Sequence, residues 1–96
     1  SISEKKGQLS IYIQVIKSFT TEIFIRNRLT SFYNKQNIYI TDSYDEADIV
    51  ITDTYERFNK SSGKEIFYLD SIEDELILNE LNELIRIKYR EKLRNN

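Results

Sequence analysis

Lys17, Ser18, Phe19, Thr20 and Thr21 follow an almost unbroken apolar stretch, residues 11–16, and open a stretch of helical periodicity. Where a strand runs into a helix, unpaired backbone N–H groups and the positive end of the helix dipole point at one place, so a lysine and three hydroxyls there could hold an anion. A bound phosphate also needs backbone that wraps around it, which calls for glycine, and none occurs between Gly7 and Gly63. We therefore expect Ser18 or Thr20 to cap the helix. A second group is Asp42, Asp53 and Asp70, each closing an apolar stretch. In a parallel sheet such strand ends share one edge, where acids could gather around Mg²⁺, but Asp in this place more commonly caps turns. Tyr12, Tyr39, Tyr44, Tyr55, Tyr68 and Tyr89 follow no spacing that builds a stacking platform; we expect them at sheet edges with their hydroxyls in water. The chain has no Cys and no His, so it lacks a thiolate nucleophile, a sulfur metal ligand and an imidazole proton shuttle. No cofactor and no metal are expected.

The elements that position these residues follow from periodicity. Residues 11–16, IYIQVI, are β-branched and nearly all apolar, the pattern of a central strand covered on both faces. From 19 to 34, Ile25, Leu29, Phe32 and Tyr33 form one helical stripe, with Arg26, Asn27, Thr30 and Ser31 opposite and Glu22 near the positive end. Residues 37–42 read as a second strand, more alternating and so at an edge. Residues 43–47 suffice for a turn or a single helical turn, 48–53 for a buried strand, and 54–64 for a helical turn and a loop at Ser61, Ser62 and Gly63. Residues 65–70 form a fourth strand. A long helix follows from Ser71 to about Arg94, with Ser71 and Asp74 at capping-box spacing and Ile77, Leu81, Leu84 and Ile85 as its core stripe. Its acids lie early (Glu73, Asp74, Glu75, Glu80, Glu83) and its bases late (Arg86, Lys88, Arg90, Lys92, Arg94), which complements the helix dipole and reads as a solvated face, not a basic recognition patch.

This alternation predicts an α/β fold, a parallel sheet with helices on both faces. The link at 43–47 is shorter than the crossover of a dozen or more residues that parallel strands normally need. Either strand two yields residues to it, or the next strand is reached over the sheet's end.

At 96 residues the chain is one domain, with residues 1–9 as a polar linker or arm and 10–96 as the folded unit. A net charge of −2 argues against direct nucleic-acid contact, which needs concentrated Lys and Arg. No apolar run reaches membrane-helix length and the start is no signal peptide, so no membrane contact and a cytoplasmic location are expected. A start without Met points to a segment of a longer chain. The apolar residues Ile23, Phe24, Leu78 and Ile87 lie off the helical core stripes and are candidates for an interface.

Two resemblances bear on function. Asp53, closing "ADIVITD", resembles the phospho-acceptor of a response-regulator receiver, but a receiver needs two further carboxylates after its first strand, where this chain has Lys17, Ser18 and Phe19. More extensively, residues 10 to about 90 resemble the enzyme IIB domain of the sugar phosphotransferase system, with "YDEADIVIT" the most characteristic stretch. That resemblance implies a four-stranded parallel sheet, ordered 2-1-3-4 and flanked by helices. Enzyme IIB domains carry phosphate on Cys or His in the loop after strand one, and the matching positions here are Lys17, Ser18, Phe19, Thr20 and Thr21. Phosphotransfer of that kind cannot be carried over to any residue. Degenerate domains of this sort close transcriptional regulators of the Mga and anthrax-toxin-activator group, where they are associated with self-association. The expectation is a non-catalytic regulatory domain that forms a homodimer or contacts other domains of its regulator while DNA is bound elsewhere. The alternative is a phosphate-accepting signalling domain using Asp53 or Ser18.

Overall fold

A computed structural model describes residues 8–54, 63–69 and 75–94. The expected capping residues Ser71 and Asp74, the strand-end acid Asp70, Tyr55, and most of the anticipated linker and of the 54–64 segment lie outside the described residues. The described elements are β1 (Leu9–Gln14), α1 (Phe19–Phe32), β2 (Ile38–Ile40), a 3-10 turn (Tyr44–Glu46), β3 (Ile49–Thr52), β4 (Glu65–Tyr68) and α2 (Glu75–Arg94). The strands form one all-parallel sheet in the order β2-β1-β3-β4. The fold is therefore α/β with the anticipated 2-1-3-4 order, and β2 is an edge strand.

Register sorts the side chains onto two faces. Ile11 pairs with Ile40 and Ile49, Ile13 with Ile51, and Ile51 with Phe67, so these residues project from the same side. On that side Leu9, Ile11, Ile13, Val15, Ile38, Ile49 and Ile51 meet Ile25 and Leu29 of α1 and Leu78, Leu81 and Ile85 of α2 in a single core cluster. Ile11, Ile25, Ile49, Ile51 and Ile85 have no exposed surface, and each burial of this kind contributes about 1.5–3 kcal/mol. The strand begins at Leu9, two residues earlier than its apolar run, because Leu9 N–H donates to the Asn37 carbonyl at 2.8 Å and its side chain enters the core.

Both described helices, α1 and α2, lie on this one face, and the helical turn expected within 54–64 lies outside the described residues. The connection between β2 and β3 contains no α-helix, and the register shows why. β2 pairs with the first half of β1 (Leu9, Ser10, Ile11) and β3 with its second half (Ile11 to Gln14), so β2 ends at the level where β3 begins. Thr41 N–H donates to the Ile11 carbonyl and Asp48 N–H to the Ser10 carbonyl, both at 2.9 Å, from the two flanks of β1. The stagger lets a segment without an α-helix, residues 41–48, pass over the face opposite α1, as right-handed crossovers in opposite directions require. Its 3-10 turn rests on β1, where Tyr44 meets Tyr12 edge-to-face with ring centroids 6.0 Å apart. Tyr12 thus stands on a central strand and not at a sheet edge. Among the described residues no helix is long and apolar enough to cross a membrane.

Candidate functional site

The β1–α1 junction, where the sequence placed its hydroxyls and its lysine, is partly occupied from within. Ser18 is the N-cap of α1: its backbone is extended (φ −152°, ψ 116°) and its Oγ accepts from Thr21 N–H at 3.2 Å. Lys17, Phe19 and Thr20 are exposed and Thr21 is half-buried. Two of the donors that an incoming anion could use, the Ile16 and Lys17 N–H groups, are taken by Asp53, just past the end of β3. Its Oδ2 accepts Lys17 N–H at 2.8 Å and its Oδ1 accepts Ile16 N–H at 3.1 Å, while the Thr54 hydroxyl donates to Oδ1 at 3.1 Å. Asp53 is only 6% exposed.

Burial by itself would raise the Asp53 pKa, but the N–H groups of Lys17, Ile16 and Asp53 and the Thr54 hydroxyl together outweigh it and hold the carboxyl below its ordinary value of 3.8. Near neutral pH Asp53 is therefore an anion fixed in a nest of donors, and it supplies internally the charge that a phosphate would bring. The sequence contained both halves of this contact, Asp53 and the junction. The 2-1-3-4 order implied by the resemblance sets β3 beside β1, but no local pattern shows that the Asp53 side chain turns back onto the Ile16 and Lys17 N–H groups.

Of the other strand-end acids, only Asp42 is among the described residues. Asp42 is exposed, and no group of three or more carboxylates among the described residues is arranged to hold a metal ion. Of the candidate interface residues, Ile23, Phe24 and Ile87 are exposed at 42%, 40% and 42%. Leu78 is 5% exposed and belongs to the core cluster, so it is no surface residue; Leu78, Leu81 and Ile85 form the stripe of α2 that meets the sheet, with Ile77 and Leu84 flanking it.

At the opposite end of the sheet lies a polar cluster that sequence patterns did not reveal. The Ser10 hydroxyl donates to the Glu46 carbonyl at 2.6 Å and accepts from Asp48 N–H at 3.1 Å. Asp48 Oδ2 accepts Ser10 N–H at 2.9 Å and the Lys92 ammonium at 2.6 Å. Serine, lysine and aspartate in contact could resemble a nucleophile and its base, but Ser10 has no exposed surface and its hydroxyl is committed to the crossover. The ammonium is held as an ion pair by Asp48. The cluster ties the crossover and the last turn of α2 to the foot of β1. Lys92 and Lys88, which pairs with Glu65 at 3.3 Å, show that part of the late basic stretch of α2 serves the sheet.

No model of a known protein family matches the chain, and no curated protein sequence matches it.

Proposed function

We propose that this chain is a non-catalytic, enzyme IIB-like regulatory domain of a bacterial, virulence-type transcriptional regulator. It acts in the cytoplasm by forming a homodimer or by contacting other domains of the same regulator, while DNA is bound elsewhere in the full chain. The observation that carries the proposal is the occupation of the Ile16 and Lys17 N–H groups by Asp53. In enzyme IIB domains the loop after strand one carries the phosphate, and here the equivalent loop has neither a Cys or His acceptor nor free donors at those two positions. The parallel 2-1-3-4 sheet supports the reading, being the order the resemblance implies.

Self-association is supported by apolar surface at the start of α1. Phe19 is 74% exposed and Ile23, one helical turn on, is 42% exposed, beside Ile16 at 58%. Sedimentation equilibrium of the chain at micromolar concentration tests this. A dimer is expected, reduced to monomer by Phe19→Asp or Ile23→Asp, which place a charge in the apolar contact without touching the core. A strict monomer for the unmodified chain would overturn the dimerisation proposal.

A further inference from the structure

Helices α1 and α2 lie on the same face of the sheet, and the segment after α1 is tied to α2 where the Tyr33 hydroxyl donates to Asn82 Oδ1 at 3.0 Å and the Tyr89 hydroxyl to Asn37 Oδ1 at 2.9 Å. Between them is a groove of about 680 Å³, within the size range of small-molecule sites. Ile38 and Ile85 contribute apolar surface to it, Phe32 adds an aromatic ring, and Asn79 and Asn82 supply side-chain amides. Two arginines reach the groove, and their situations differ. Arg86 is paired with Glu83 one turn back on its own helix. Arg28 has no carboxylate partner among the described residues; its guanidinium carbon lies 5.0 Å from the centre of the Phe32 ring.

Arg28 also carries an unmet hydrogen-bonding group. Its Nε–H has no acceptor, and among the described residues it is the single buried side-chain nitrogen or oxygen in that condition. A buried donor left without a partner is costly, more so on a charged group, and such a group calls for an explanation. The planar edge of a guanidinium matches the two oxygens of a carboxylate. A phosphate dianion would call for a second uncompensated cation, and Glu83 already neutralises Arg86. The ring and aliphatic surface beside Arg28 suits an apolar body attached to that carboxylate.

We propose that the α1–α2 groove is a binding site for a small organic carboxylate, whose charge pairs with Arg28 and whose apolar body lies against Phe32 and Ile38. Calorimetric titration of the chain with phenylacetate and with hexanoate tests the site, alongside inorganic phosphate and phenethyl alcohol as probes of charge alone and apolar body alone. The expected result is saturable binding of at least one carboxylate, with the Arg28 Nε–H resonance shifting in step and neither control binding. Arg28→Gln should weaken that binding about tenfold or more, the loss of a charge-assisted pair. If Arg28→Gln does not fold, Arg28→Lys, which keeps the charge and loses the fork, should show the same loss. Absence of binding by both carboxylates, equal binding by phosphate, or affinity unchanged in the Arg28 variant would overturn the proposal.

Discussion

Asp53 shows how one side chain decides what a junction can do. Lys17, Ser18, Thr20 and Thr21 supply a cation and hydroxyls beside a helix start, yet Ser18 caps the helix and Asp53 takes two loop N–H groups. The pH behaviour follows from the lowered pKa. A carboxyl whose folded pKa lies below its unfolded value adds stability that is fully present above the unfolded value and disappears as pH falls through the folded one. Urea unfolding should therefore show a loss of stability that begins near pH 3.8 and continues below it, with Asp53→Asn lacking this contribution. Near pH 7 Asp53→Asn should cost about 1–3 kcal/mol, because an amide nitrogen replaces one acceptor of a buried side chain and leaves a part-buried loop N–H unmatched. Equal stability of the two proteins from pH 7 down to pH 3 would show that the clamp contributes nothing. The chemical types at this site were legible in the sequence; that Asp53 answers Ile16 and Lys17 across 36 or 37 residues was not.

At the scale of elements, strongly patterned segments were readable and weakly patterned ones were not. The apolar runs gave four strands, and the periodicity of residues 19–34 gave α1 to within two residues of its end, where Tyr33 N–H closes the helix on the Leu29 carbonyl. The stripe of α2 was misplaced by about one position. Ile77, Leu78, Leu81, Leu84 and Ile85 form a band wide enough that its centre cannot be read from spacing, and contact with the sheet selects Leu78 over Ile77 and Leu84. Leu78→Ala should therefore cost about 2–5 kcal/mol in chemical denaturation. Ile87→Ala, at an exposed position, should change stability by about 0.5 kcal/mol or less, and the opposite order would place the core elsewhere. The crossover depends on Ser10, which has no exposed surface and whose hydroxyl donates to the Glu46 carbonyl. Ser10→Ala should cost about 1–3 kcal/mol by stranding that contact. Lys92→Met should cost about 1 kcal/mol or less, since its ion pair with Asp48 is about a third exposed on each side. A Lys92 effect larger than that of Ser10 would mean that the ion pair, not the hydroxyl, anchors the crossover.

At the scale of the whole molecule, the sheet order joins these pieces. Placing β1 between β2 and β3 brings the Asp53 carboxylate to the loop that leaves β1, and the stagger of β2 against β3 permits a crossover without an α-helix. Helices α1 and α2 lie together on one face with a groove between them. The parallel sheet was legible because strands alternate with helices, while its 2-1-3-4 order was expected only from the resemblance to enzyme IIB domains. Which of the two routes the link between β2 and β3 takes was not legible, since it depends on a three-residue β2 whose limits no local pattern sets. The central claim is that the β1–α1 junction is a structural joint and not a phosphate site. Titrating inorganic phosphate and then acetyl phosphate into ¹⁵N-labelled chain at pH 7, while following the amide resonances of Ile16 and Lys17 and the intact mass, tests it most directly. The account predicts that both amides stay in place and the mass is unchanged; a saturable shift of those two amides, or a phosphoryl adduct lost on Asp53→Asn, would contradict it.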